Sequence, residues 1–157
     1  MLSRLKPYVI SILIALAVGG ASALLTMGNM DIYREIRTPP LSPPSILFPI
    51  VWTILYILMG ISAAIIYTNT NSTDKLKKEA LVPYASSLIV NFAWSIIFFN
   101  FRAFFVAFLW LLLLLFLIIK TIIAYKKISP LAAYLQIPYA IWVSFAGYLN
   151  LGIWLLN

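Results

Sequence analysis

The sequence predicts an all-α membrane protein, a single domain of five transmembrane helices spanning residues 1–157. Three observations carry that expectation. Hydrophobic residues make up 64% of the chain and charged ones 10%, whereas soluble chains carry about 25% charged residues. The apolar residues fall into five long runs interrupted by a single charge, Lys120, and about 20 such residues cross a hydrocarbon core about 30 Å thick. The cations between the runs are arranged asymmetrically.

The spans are expected at about Pro7–Met27, Ser45–Tyr67, Ala80–Phe99, Ala103–Tyr125 and Leu131–Leu156, with a long first loop over Gly28–Pro44. The first run follows Arg4 and Lys6 as a signal peptide would, but it is too long for a signal core and four more runs follow, so it reads as a retained helix. With five crossings, Arg4, Lys6, Lys75, Lys77, Lys78, Lys126, Lys127 and the snorkelling Lys120 share one face, whereas Arg34, Arg37 and Arg102 lie on the other. The positive-inside bias makes the first face cytoplasmic, with the first loop and the C-terminus opposite. Anionic lipid and topology account for the basic face without a nucleic-acid partner.

Span one carries Ser11, Ala15, Gly19 and Ala23 at one residue per turn. Small residues let helices approach closely in lipid, either within the chain or at a homodimer seam. Span two follows a proline cluster, Pro39-Pro40-Leu41-Ser42-Pro43-Pro44, which cannot be helix interior but leads into one. Loop two, Asn69–Glu79, reads as polar and turn-like. Ser87, Asn91 and Ser95 form a polar stripe on span three that must face protein or a cavity. Span four reads as lipid-facing filler. Span five contains Pro138 and the stripe Trp142, Ala146, Asn150 and Trp154.

At about 1.5 Å per helical residue, Trp52 lies about 10 Å below the loop face and Trp94 about 8 Å. Asn150, Ala146 and Trp142 lie about 9, 15 and 21 Å down. Aromatic faces with a few amide and hydroxyl groups suit a flat hydrophobic ligand. An interfacial aromatic belt is the alternative. It suits Trp154, Tyr67, Tyr125 and Trp110, and suits Trp142 badly, because that indole needs an N–H partner or a cavity.

The chain has no Cys and no His, which removes thiol chemistry, His-ligated haem and His-based acid–base catalysis; no metal site is expected. No Ser–base pair, carboxylate dyad or glycine-rich phosphate loop is present. Asp31, Glu35, Asp74 and Glu79 all fall in expected loops, which argues against ion-coupled transport.

Pro39–Pro44 followed by Val51-Trp52-Thr53-Ile54-Leu55-Tyr56-Ile57-Leu58-Met59-Gly60 resembles the first-loop and second-helix signature of the translocator protein family, also called tryptophan-rich sensory protein or peripheral-type benzodiazepine receptor. Asn91-Phe92-Ala93-Trp94 with Ile97-Phe98-Phe99 is similar to its third-helix motif. Ser129-Pro130-Leu131-Ala132-Ala133, Pro138-Tyr139, Trp142, Phe145-Ala146 and Leu149-Asn150 are similar to its fifth. The resemblance implies a five-helix bundle, often dimeric, in a bacterial cell membrane, binding tetrapyrroles such as protoporphyrin IX, sterol-like lipids and aromatic synthetic ligands without a resident cofactor. It implies ligand contacts from Tyr33, Trp52, Asn91, Trp94, Trp142 and Ala146, to which Tyr56 and Asn150 are added from their neighbouring positions. Trp52 and Trp142 match the two indoles linked with light-dependent porphyrin breakdown in bacterial members, and would be the photochemical residues here. The family's aromatic between the prolines is Leu41, and the Trp before the loop tyrosine is Ile32. Leu151 and Leu155 stand where the sterol-recognition pattern needs Tyr and a basic residue, so that motif is absent. A structural or regulatory membrane partner with no ligand of its own is the competing reading, followed by a transporter of hydrophobic molecules.

Overall fold

Burial of small residues between apolar helices organises the computed structural model, which describes residues 1–157. Its helices are α1 (Leu2–Thr26), α2 (Ile32–Glu35), α3 (Leu47–Thr68), α4 (Asp74–Ser95), α5 (Phe104–Lys126) and α6 (Pro130–Leu156). Short 3₁₀ and π turns, Met27–Asn29 and Ile96–Asn100, extend α1 and α4. All except α2 are long and apolar enough to cross a membrane. Around the bundle the order is α1, α3, α6, α5, α4, closing on α1.

Lipid offers no hydrophobic drive for helix pairing, so close backbone approach must supply it. Gly60 of α3 faces the Ile12 backbone of α1, and Gly19 of α1 lies under the Tyr56 ring of α3. Ala15, between them in the small-residue stripe, is fully buried. The stripe on α1 therefore packs within the chain, although Ala23 at its end is exposed.

Three expectations are corrected here. The segment Asn69–Glu79 is helical from Asp74 onward. The Thr73 hydroxyl accepts the Leu76 N–H at 3.2 Å, Asp74 sits at the positive end of the helix dipole, and Lys75 and Glu79 pair one turn apart at 3.9 Å. A cap and a charge pair wind polar residues that hydropathy alone reads as loop, so Asp74 and Glu79 are helical. Nor is α5 filler: Ala107, Leu111, Leu114, Ile118, Thr121 and Tyr125 form a buried stripe toward α4 and α6. Tyr125, expected at the interface, is buried with its ring 6.4 Å from that of Tyr84. The Trp110 N–H donates to the Val90 carbonyl at 2.8 Å, tying α5 to α4. Tyr67 and Trp154 are exposed near helix ends, as a belt requires.

The first loop lies along the final turns of α6. The Tyr148 hydroxyl donates to the Pro40 carbonyl at 2.7 Å, and Pro39 packs directly on Gly152. Asn157 accepts the Arg37 N–H at 3.0 Å and returns a bond to its carbonyl at 2.9 Å. Between these contacts Leu41 adopts a left-handed backbone, φ 70°, a conformation that costs a non-glycine residue about 1–2 kcal/mol. The Ser42 hydroxyl, donating to the Pro39 carbonyl at 2.6 Å, helps hold the turn. On the opposite side of the loop, Arg102 pairs with Glu35 at 3.2 Å and Asn29 with Asn100 at 2.7 Å.

A side chain at Gly60 must displace backbone, whereas one at Gly20 meets nothing within 4 Å. Gly60→Val is expected to lower stability by about 1–3 kcal/mol, read as a lower melting midpoint in detergent. Gly20→Ala, inside α1 but facing open space, should hold or slightly raise the midpoint, because alanine is the better helix former.

Candidate functional site

α3 and α6 run antiparallel, so Phe48 and Trp52, one turn apart on α3, meet Trp142 and Tyr139 on α6. The Phe48 and Trp142 rings lie 5.9 Å apart, edge to face, and those of Trp52 and Tyr139 lie 6.2 Å apart in the same orientation. Trp52 also stacks on Tyr56, one turn deeper on its own helix, at 5.6 Å and 29°. Tyr33, carried by α2, adds its ring to Phe48 at 5.4 Å. Its hydroxyl donates to the Pro43 carbonyl at 3.1 Å. Burial raises the Tyr33 pKa above the ordinary phenol value, with the Ser42 hydroxyl opposing, so the ring stays neutral and keeps its donor. Two sets of rings therefore line the α3–α6 seam, one running from Tyr33 through Phe48 to Trp142 and one formed by Trp52, Tyr56 and Tyr139.

The polar groups come from α4 and α6. Asn91, buried on α4, donates to the Tyr139 hydroxyl at 3.1 Å. One turn nearer the loop face, the Trp94 N–H donates to Asn150 at 3.1 Å, and Asn150 donates in turn to the Phe104 carbonyl at 2.7 Å. Trp94 stacks on Phe98 at 5.1 Å. The expected depths of Trp94 and Asn150 agree with this direct bond. Trp52, Trp94, Trp142 and Ala146 all pack against one core cluster that includes Tyr56. The cross-helix contacts bring the residues singled out from the sequence together on the loop side of the bundle, with Tyr33 in the first loop and Trp142 level with the first turn of α3. Asn150 and Trp94 are already mutually satisfied, however, so their polar atoms hold α4, α5 and α6 together.

Trp142 differs. Its indole N–H is buried and has no hydrogen-bond partner. An unpaired buried donor costs about 1–3 kcal/mol. The depths counted from the two helix ends disagree here. Trp142 touches Phe48, in the first turn of α3, although about 21 Å of α6 separates it from Leu156. The end of α6 therefore extends past the start of α3, with the loop along one side of it and Trp154, Leu155 and Leu156 exposed.

No open hollow is lined by these residues among the two main clefts. One cleft, of about 660 Å³, lies between the start of α5 and the end of α6. The other, of about 630 Å³, lies where α3 ends and α4 begins, on the face of the N-terminus. Phe48 packs beside Trp142, and Tyr33 from the first loop packs on Phe48.

Sequence reasoning missed Phe48, and it named Tyr139 and Phe145 only as motif residues without placing them at the site, although Phe145 lies 5.7 Å from Trp142. Each had a signal, since Phe48 precedes Trp52 by one helical turn, Tyr139 precedes Trp142 by nearly one, and Phe145 follows it at the same interval.

Removing the Asn150 amide strands a Trp94 donor and a Phe104 acceptor. Asn150→Leu is expected to cost about 1–3 kcal/mol. Trp94→Phe should cost less in that background than in the parent chain, because the stranded donor is removed; the two melting shifts measured singly and together test this.

The chain matches the TspO/MBR family over residues 11–155. It is 36% identical over 145 residues to the tryptophan-rich protein TspO of Chlorobaculum tepidum, covering 92% of this chain and 91% of that one. Protein CrtK of Rhodobacter capsulatus is 34% identical over 145 residues, with 92% and 89% covered. The translocator protein of Ovis aries is 36% identical over 125 residues, with 78% and 72% covered.

Proposed function

The chain belongs to the TspO/MBR family of membrane proteins, and on that premise we propose that it binds porphyrin-like and other flat hydrophobic molecules between α3, α4 and α6. The single observation that carries this reading is the Trp142 N–H, buried and unpartnered among aromatic rings. A planar guest bearing a hydrogen-bond acceptor would satisfy that donor while stacking on the surrounding faces. The guest takes the place of Phe48 beside Trp142, which requires the α3 start and the first loop to yield. Tyr33 and Trp52 then face it from the loop side, Tyr56 and Asn91 from below, and Ala146 leaves room where a larger residue would not.

The site holds neither a carboxylate nor a cation, so binding rests on stacking and one or two hydrogen bonds. That favours metal-free protoporphyrin IX over a ligand needing iron ligation. Under illumination the bound porphyrin is the light absorber and the two indoles, Trp52 and Trp142, are the electron donors. The proposal extends to topology: the lysine-rich face is cytoplasmic in a bacterial cell membrane, with the loop on the opposite side. A homodimer is also compatible with the exposed apolar face of α1.

Trp52→Phe and Trp142→Phe are each expected to slow photobleaching of added protoporphyrin while retaining binding measured by fluorescence quenching in the dark. Trp142→Phe, which loses the N–H, should also weaken dark binding by about tenfold. Unchanged bleaching in the double variant would remove the indoles from the chemistry.

A second reading is favoured by the closed packing at Phe48. It makes the chain a regulatory membrane partner with no ligand of its own. Failure of any tetrapyrrole to quench tryptophan emission would select it.

A further inference from the structure

The cleft on the N-terminal face, about 630 Å³, has the vertical order of a phospholipid. Its mouth carries Asp74, Lys77 and Lys78, with Tyr67 of α3 at its side. Its floor and wall are Leu81, Val82 and Ala85, successive positions on the same face of α4. Ala85 lies about 12 Å along the helix from Lys77. Polar contacts therefore give way to an apolar groove over the distance separating a headgroup from the upper part of its acyl chains.

The charges are selective. Lys75 is engaged with Glu79 and Arg102 with Glu35, so the protein's ion pairs leave Lys77 and Lys78 without a carboxylate. Lys77 is fixed over the cleft by donating to the Tyr67 carbonyl at 3.1 Å. That carbonyl belongs to the last turn of α3, where the helix dipole favours a cation. The ammonium keeps further donors for a ligand. Two lysines and Asp74 give the cleft one net positive charge. This balances one phosphodiester, while the Asp74 carboxylate accepts from a headgroup hydroxyl and repels a second negative charge.

We propose that this cleft is a specific site for a diacyl phospholipid with a monoanionic, hydroxyl-bearing headgroup. The phosphate lies between Lys77 and Lys78, the hydroxyl at Asp74, and one acyl chain along Leu81, Val82 and Ala85. The site is separate from the aromatic one, which lies toward the other membrane face, so it stands whether or not the chain binds porphyrin.

Native mass spectrometry of the full chain in detergent, with equal phosphatidylglycerol and phosphatidylcholine, tests it. The expected result is retention of phosphatidylglycerol over phosphatidylcholine. Lys77→Ala with Lys78→Ala should lower that retention by up to about thirtyfold, the combined effect of two surface lysines on anionic lipid. Lys126→Ala with Lys127→Ala, on the same face but outside the cleft, should leave it unchanged. Lys77→Arg with Lys78→Arg should keep most of it, separating charge from folding. Asp74→Asn should raise retention of the more highly charged phosphatidic acid. Equal losses from both alanine pairs, equal retention of phosphatidylcholine, or displacement by inorganic phosphate, which has no acyl chain, would each overturn the site.

Discussion

The seam between the first loop and the last turns of α6 is the contact on which the rest of the loop-side half depends. A chain leaving α1 must return to the start of α3 without stranding backbone groups at the membrane edge. It does so by lending Pro40 and Arg37 carbonyls to Tyr148 and Asn157, and by laying Pro39 on Gly152. Gly152 is required there because a Cβ would collide with the proline ring. With the loop held in this way, α3 starts beside Trp142, and Phe48 is set against that indole. The left-handed turn at Leu41 is tolerated because the bonds on either side determine it.

The aromatic cluster below the seam has two parts with different physics. Around Asn150, every polar atom named finds a partner, and the result is a rigid junction of α4, α5 and α6. Around Trp142, a buried donor is left without an acceptor among aromatic rings. Fully satisfied buried polar networks specify structure, whereas an orphaned donor is a cost retained in spite of folding. That contrast separates the residues that build the bundle from the one left with an unmatched donor, on which the proposed binding rests. Under that proposal closure and binding are compatible, because Phe48 packs against an indole whose N–H it does not satisfy.

Much of this was legible in the chain. The five apolar runs fixed the helices because bilayer thickness leaves little choice of length, and the stripe at Ser87 and Asn91 correctly pointed inward. The motif around Trp52, Trp94 and Trp142 named residues that do come together on the loop side of the bundle. What hydropathy could not show was which apolar face meets protein and which meets lipid. The stripe from Ala107 to Tyr125 on α5 is as apolar as its opposite face, so periodicity carries no contrast there. Nor could it show what covers a helix end. Counting down from Leu156 set Trp142 too deep relative to Phe48 because α6 runs past the start of α3, with the loop along one side of its last turns. The helical start of α4 was hidden for a related reason, since a capping threonine and an ion pair, without apolar periodicity, hold Asp74–Glu79.

If the proposed binding holds, the loop seated on α6 must release before a planar ligand can reach Trp142. A Cβ at Gly152 would lie 2.6 Å from the Cβ of Pro39, so a slight separation brings a cysteine pair there to disulfide spacing of about 3.8 Å, in a chain with no cysteine of its own. The most direct measurement is the association rate of protoporphyrin with Pro39→Cys/Gly152→Cys, oxidised and then reduced. The account predicts association slowed by about tenfold or more when the loop is locked, because the open state is withdrawn, and recovery on reduction. Equal rates in the two redox states would contradict it.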